Sequence, residues 1–208
     1  MTTTVEINGL RHSYGGRPPR LVLDRIDLAV EEGQFVSLVG PSGCGKSTLL
    51  RVIAGLLPPS EGAVRVHGMS VEDQTGLVAY MPQRDLLLPW RRALDNAVLG
   101  AEVTGAPRDQ ARDRARSLFE RFGLTGFEAA WPGELSGGMR QRLALLRTFL
   151  LDRDVLLLDE PFGALDAITR RGMYAWLQDV WLADRRTALF VTHDVEEAIY
   201  LSDRVIVL

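Results

Sequence analysis

Nine consecutive residues carry the clearest chemistry in this sequence: Gly40-Pro41-Ser42-Gly43-Cys44-Gly45-Lys46-Ser47-Thr48. They fit G-x-x-x-x-G-K-[ST], the phosphate-binding P-loop pattern. Glycines free the backbone to curl, so that successive N–H groups point at phosphate oxygens. A helix N-terminus behind the loop adds partial positive charge. Lys46 is placed to reach the β- and γ-phosphates, and the Ser47 hydroxyl to sit on Mg²⁺. Lys46 is also the only lysine in the chain; every other basic residue is arginine. A compact ammonium fits between phosphates where a planar guanidinium does not.

Two further clusters stand out. Asp159-Glu160 closes the apolar run from Asp154. An acid at the carboxyl end of a buried strand can hold Mg²⁺ through water, and a second acid beside it can polarise the attacking water. An N-cap pair opening a helix is the bland alternative. Ser136-Gly137-Gly138 precedes a helical stretch and is a second anion-ready N-terminus, with Ser136 as a plain N-cap being equally compatible. A P-loop alone leaves kinases, GTPases, recombinases and transporters open, and the two acids narrow that field.

The elements that must position these residues follow from periodicity. Gln34 to Val39 is short, apolar and β-branched, a buried strand, and Ser47 to Leu57 has helical spacing closed by Pro58-Pro59. Val5 to Leu10 and Val22 to Val30 alternate as strands, Gly62 to Gly68 adds another, and together these predict an antiparallel β-rich layer. His67 alternates to the polar side of its strand, a surface histidine without a metal-spaced partner. Gly76 to Met81 is a further strand, and Pro82-Gln83 opens a loop that is unusually apolar from Leu86 to Trp90. From Ala93 to about Phe149 the chain reads as helical, broken at Trp131-Pro132-Gly133 and resumed as an apolar helix from Leu143 to Leu151. Asp154 to Glu160, Ala167 to Trp181, Thr187 to Thr192, Val195 to Leu201 and Val205 to Leu208 alternate strand and helix, which predicts a parallel sheet.

Composition bounds what this machinery serves. The 208 residues make one large domain or a core with an insertion. Hydrophobic content of 46% and charged content of 25% argue for a packed globular chain, and a net charge of −3 argues against nucleic-acid binding through a global basic field. Cys44 is the only cysteine, which excludes an internal disulfide and suits a reducing compartment; inside the loop it reads as a small filler. No signal peptide opens the sequence, and no run approaches the ~18 apolar residues of a membrane span, so any membrane role is peripheral or through a partner.

The order Tyr14, P-loop, Gln83, Leu135-Ser136-Gly137-Gly138-Met139, Leu156-Leu157-Leu158-Asp159-Glu160-Pro161, Ala164-Leu165-Asp166, His193 resembles the nucleotide-binding subunit of an ATP-binding-cassette (ABC) transporter over essentially the whole chain. The resemblance implies an α/β fold: a P-loop NTPase (RecA-like) core with an antiparallel β layer and an inserted helical subdomain at about 88–150, all one ABC ATPase domain over 1–208. It implies ATP and Mg²⁺ as cofactors and ATPase activity. It implies Tyr14 stacking on adenine; Lys46, Gln83, Glu160 and His193 in catalysis; and Ser47, Gln83 and Asp159 at the metal. Gly40 to Thr48 would cradle the phosphates. Ser136, Gly137, Gly138 and the interface-crossing Asp166 would meet the nucleotide of a second copy in a head-to-tail ATP sandwich. On their local sequence alone, Tyr14 also suits a strand-end turn and His193 a helix N-cap region.

The segment Met81 to Trp90 is similar to that of importers for nitrate, sulfonates, taurine and thiamine pyrimidine precursors. The resemblance thus implies permease subunits, and through them a solute-binding protein, as partners of a peripheral subunit on the cytoplasmic face of a bacterial membrane. Leu86 to Trp90 would receive a permease helix, or else pack within the helical subdomain. The competing function is a soluble ABC ATPase acting on nucleic acid or the ribosome, but the chain has one cassette, no heptad run and no CxxC. Two departures stand against the family pattern. Met139 replaces the usual glutamine of the signature. The chain also stops at Leu208 on an apolar strand where relatives continue, so its C-terminal end reads as truncated, with that strand unpaired.

Overall fold

The computed structural model describes residues 2–163 and 165–208. Strands β1 (Thr3–Tyr14), β2 (Arg20–Glu31) and β3 (Phe35–Val39) lead through the phosphate loop into helix α1 (Lys46–Ile53). Strands β4 (Glu61–Val66), β5 (Met69–Ser70) and β6 (Ala79–Met81) follow. Next come α2 (Ala93–Ala97), α3 (Leu99–Val103), α4 (Arg108–Arg121) and, after a 3₁₀ turn at Pro132–Glu134, α5 (Gly137–Leu150). The chain then alternates through β7 (Val155–Asp159), α6 (Ala167–Leu182), β8 (Thr187–Thr192), α7 (Val195–Leu201) and β9 (Arg204–Val207).

Two compact units result. The first comprises Met1–Tyr80, Arg153–Asp159 and Arg185–Leu208. It holds an antiparallel sheet of order β2-β1-β4-β5 and a second sheet of order β6-β7-β8-β3-β9. In the second sheet β3 pairs parallel with β8 and β9, and β7 with β8. Every residue of β3, β7 and β8 is buried, the mark of parallel strands covered on both faces. Val5, Ile7 and Leu10 from β1 join Leu38, Leu49, Leu50, Ile53, Leu157 and Val191 in one core. Leu49, Leu50, Val52 and Ile53 of α1 are fully buried. At ~1.5–3 kcal/mol for each such side chain, this packing, rather than helix propensity, holds an eight-residue helix in place.

The second unit comprises Met81–Asp152 and Glu160–Asp184. Its core is aromatic: the buried Phe122 ring meets Phe149 edge-on at 5.4 Å and Trp176 at 5.2 Å. Asn96, fully buried in α2, fixes the loop ahead of it. Its amide accepts from Leu88 N at 2.7 Å and donates to Leu88 O at 3.1 Å and Arg91 O at 2.8 Å. No helix among the described residues is long and apolar enough to cross a membrane.

Several sequence expectations shift. β1 runs on to Tyr14 and β6 is only three residues long. Helix α5 starts at Gly137, not Leu143, because the Ser136 side chain accepts from Met139 N and outweighs the low propensity of two glycines. The expectation of an unpaired terminal strand fails: β9 lies parallel to β3, and Leu208 N donates to Val39 O at 2.9 Å. His67 leaves its strand in a turn with a left-handed backbone and lies 3.7 Å from Asp154 Oδ2.

Candidate functional site

Parallel pairing aligns the chemistry in unit 1. Val39 stands opposite Thr192, and Asp159 opposite Val191. The carboxyl ends of β3, β7 and β8 therefore share one edge, where open α/β sheets present their ligand sites. The phosphate loop leaves this edge after Val39, and His193 follows Thr192 on an exposed turn.

The loop is held by its own lysine. Lys46, only 4% exposed, donates from Nζ to Gly40 O at 2.8 Å and Pro41 O at 3.0 Å, with Cys44 Sγ at 3.7 Å. Gly45 caps α1 at φ 107° without a side-chain acceptor. A Cβ there would lie 2.8 Å from Leu23 Cδ2, so only glycine fits. The outcome is a buried ammonium beside first-turn amides that, among the described residues, have no side-chain partner. Such a set fits phosphate.

Asp159, 1% exposed, closes β7. Its Oδ1 accepts from Ser47 Oγ at 2.8 Å and its Oδ2 from Tyr80 OH at 3.1 Å. Because Ser47 gives its proton to Asp159, its lone pairs are left for a cation, and the all-oxygen pair fits a hard ion such as Mg²⁺. Among the described residues no cluster of three or more His, Cys, Asp or Glu gathers to cage a metal. Mg²⁺ needs none, since it keeps waters and takes one or two carboxylates plus phosphates. Tyr14, at the end of β1, places its hydroxyl 3.3 Å from Thr48 Oγ1 and its ring edge-on to His12 at 4.9 Å. The His193 turn is anchored by Thr192 Oγ1, which accepts from Asp194 N at 2.9 Å and pairs with the buried Glu197 carboxylate.

The remaining candidates belong to unit 2. Glu160 carries φ 45°, a left-handed backbone rare outside glycine, and its Oε2 accepts from Gln83 Nε2 at 3.1 Å. Ser136 caps α5, accepting from Met139 N at 3.3 Å, so Gly137 and Gly138 form its first turn. Asp166 caps α6, accepting from Ile168 N at 3.1 Å and Thr169 N at 3.0 Å; the Thr169 backbone bond, more than the others, lowers its pKa. Ala164 of the predicted Ala164-Leu165-Asp166 motif lies outside the described residues. The apolar loop after Gln83 divides: Leu87 is buried at 9%, while Leu86 and Trp90 are exposed, Trp90 at 71%. Arg147 braces this loop through Leu86 O at 3.0 Å and Asp85 O at 2.5 Å, and burial lowers its pKa.

The sequence reading passed over Tyr80, Arg51 and His12. Tyr80 had the only visible signal: a polar-tipped aromatic ending an apolar strand three residues before Gln83. Arg51 looked like one of many surface arginines, and the nearness of the Tyr80 hydroxyl above all, which raises its pKa, depends on tertiary folding.

Comparison with known proteins follows the same lines. The family profile described as ABC transporter matches residues 23–163. An aliphatic sulfonates import ATP-binding protein of Rhodococcus jostii is 51% identical over 204 residues, covering 98% of this chain and 78% of that protein. A formylaminopyrimidine import ATP-binding protein of Halalkalibacterium halodurans is 46% identical, covering 94% of this chain and 75% of that protein. A solved dimeric structure of a bacterial ABC transporter cassette superposes with a TM-score of 0.85 at 30% identity, covering 98% of this chain and 94% of that one. A post-hydrolysis state of that cassette, bound to ADP and phosphate, superposes equally well.

Proposed function

The chain belongs to the ABC transporter family, and on that premise we propose that it is the ATP-hydrolysing subunit of a membrane importer for a small solute. The Ser47–Asp159 bond carries this reading, because it ties the phosphate loop to a strand-end acid with oxygen ligands only. The relatives' names support import and narrow the solute to a sulfonate-like or pyrimidine-precursor class; they do not favour an ATPase acting on nucleic acid or the ribosome. The partners are a second copy of this chain, permease subunits at the cytoplasmic face of the membrane and, through them, a solute-binding protein.

Each residue has a distinct task in this reading. The loop from Gly40 to Thr48 binds the phosphates, with Lys46 reaching the β- and γ-groups. Ser47, Asp159 and Gln83 hold Mg²⁺, which when bound supplies the charge that offsets the phosphate oxygens. Tyr14 stacks on the base. Glu160 accepts a proton from the attacking water, and Gln83 and His193 orient the water and the γ-phosphate. Ser136, Gly137, Gly138 and Asp166 of one copy close on the nucleotide of the other. Leu86 and Trp90 offer an apolar surface to the permease.

Size-exclusion chromatography of Glu160→Gln tests the core of the proposal. With MgATP this variant should run as a dimer retaining two nucleotides, and without it as a monomer. Ser136→Arg in the same background should abolish the dimer. A variant that stays monomeric in MgATP yet hydrolyses it at the wild-type rate would remove both the catalytic and the cross-subunit assignments.

A further inference from the structure

We infer, on the reading that Tyr14 stacks on the base, that His12 is the positioning residue for Tyr14 and holds its ring ready at the base end of the nucleotide site in unit 1. His12 is 5% exposed. Its Nδ1 lies 3.0 Å from Pro58 O, and because a carbonyl only accepts, Nδ1 carries the proton. In the neutral ring Nε2 is then an acceptor, and it is buried with no hydrogen-bond partner among the described residues. An unpaired buried acceptor works against folding and offsets part of what the Pro58 bond contributes. The other contact of the ring is with Tyr14. The two rings meet at 85°, with centroids 4.9 Å apart, a favoured aromatic arrangement.

The strand sets up this contact. His12 and Tyr14 are two residues apart on β1, so their side chains share a face. The far end of Tyr14 is held as well, with its hydroxyl 3.3 Å from Thr48 Oγ1 in the first turn of α1. Tyr14 is nevertheless 37% exposed, which leaves ring surface for a base. Behind it, three successive residues of β1 are stitched to the loop that follows α1. Arg11 O accepts from Ser60 N at 2.8 Å, His12 Nδ1 donates to Pro58 O, and Ser13 N donates to Ser60 Oγ at 3.0 Å. The strand end that carries Tyr14 is therefore tied to both ends of α1, the helix that opens at the phosphate loop. A ring that must be ordered on binding weakens affinity; a ring ordered beforehand avoids a loss of about two- to tenfold for one side chain. A base feels that difference and a bare phosphate chain does not.

Dissociation constants of a non-hydrolysable ATP analogue and of inorganic tripolyphosphate, which lacks a base, are measured in MgCl₂ by calorimetry, and their ratio is the base gain. Tyr14→Ala should lower the gain by roughly 5- to 100-fold, the usual worth of one stacked base. His12→Ala should lower it by about two- to tenfold and leave tripolyphosphate binding unchanged. His12→Phe, which keeps a ring beside Tyr14 but cannot donate to Pro58 O, should retain most of the gain. In a Tyr14→Ala background, His12→Ala should lower it no further. Should His12→Ala fail to fold by circular dichroism, His12→Asn decides, since it offers Pro58 O a donor without an aromatic ring, and it should show the same loss. A wild-type gain in the variant without a ring, a loss in His12→Phe as deep as in that variant, or equal weakening of both ligands overturns the role of His12 and leaves the stacking reading standing. A full wild-type gain in Tyr14→Ala overturns the stacking reading and the role of His12 with it.

Discussion

The strand end at Asp159 and the turn that begins at Glu160 hold consecutive carboxylates in opposite ways. Asp159 sits on a regular, fully buried strand and is gripped from two sides, by Ser47 and Tyr80. Glu160 is only half-buried, bends its backbone into the left-handed region and is met by Gln83, itself exposed. An acid that must hold a cation at a fixed distance gains from the sheet's rigidity. An acid that must take up a proton gains from a less rigid seat, and backbone strain at such places is a familiar mark of function.

The two isosteric amides should therefore behave differently. Glu160→Gln should lower turnover by ~10²–10⁴-fold while leaving the MgATP dissociation constant near the wild-type value. Asp159→Asn should weaken MgATP binding itself, by ~10–100-fold. Phosphate release and equilibrium binding, measured on both variants, decide it. Matched losses of affinity in the two would mean that the acids share one role.

A contrast between a buried and an exposed side chain also occurs within unit 2, at a smaller scale. Leu87 is buried and Trp90 stands in solvent, three residues apart in one loop. Leu87→Glu should cost ~3 kcal/mol or more, the usual result of burying an unpaired charge. Trp90→Glu should change stability by no more than ~0.5 kcal/mol and instead weaken association with the permease. Urea unfolding and a pull-down with detergent-solubilised permease measure the two. Equal destabilisation would show that the loop is core throughout.

These differences mark where the sequence is legible. Strands, helices and the phosphate loop announce themselves through periodicity and motif, and the parallel sheet followed from alternation. Ser136 as a cap was readable because N-caps use few residue types. Loop directions were not readable: no period tells whether Leu86 or Leu87 turns inward, and that choice is made by Asn96 and Arg147, which brace the loop from α2 and α5. Tyr80 escaped because its partner Asp159 lies 79 residues away. The left-handed backbone of Glu160 escaped because glutamate is not a residue that advertises it.

That backbone provides the finest comparison of the two acids. At Asp159, an extended position inside a buried strand, alanine should be better tolerated than glycine by roughly 0.5–1 kcal/mol, because glycine loses more entropy on folding. At Glu160 the order should reverse. A left-handed backbone crowds Cβ against the following carbonyl at a cost of ~1–2 kcal/mol, and glycine escapes it. Glu160→Gly should therefore be more stable than Glu160→Ala by ~1 kcal/mol. Each pair lacks the carboxylate in both variants, so the lost bonds to Ser47 and Tyr80, or to Gln83, cancel and only the backbone preference remains. Four urea unfolding curves supply the data. Alanine ahead of glycine at both positions would mean that Glu160 relaxes out of the left-handed region in solution, and the contrast between strand end and turn would then rest on side-chain partners alone.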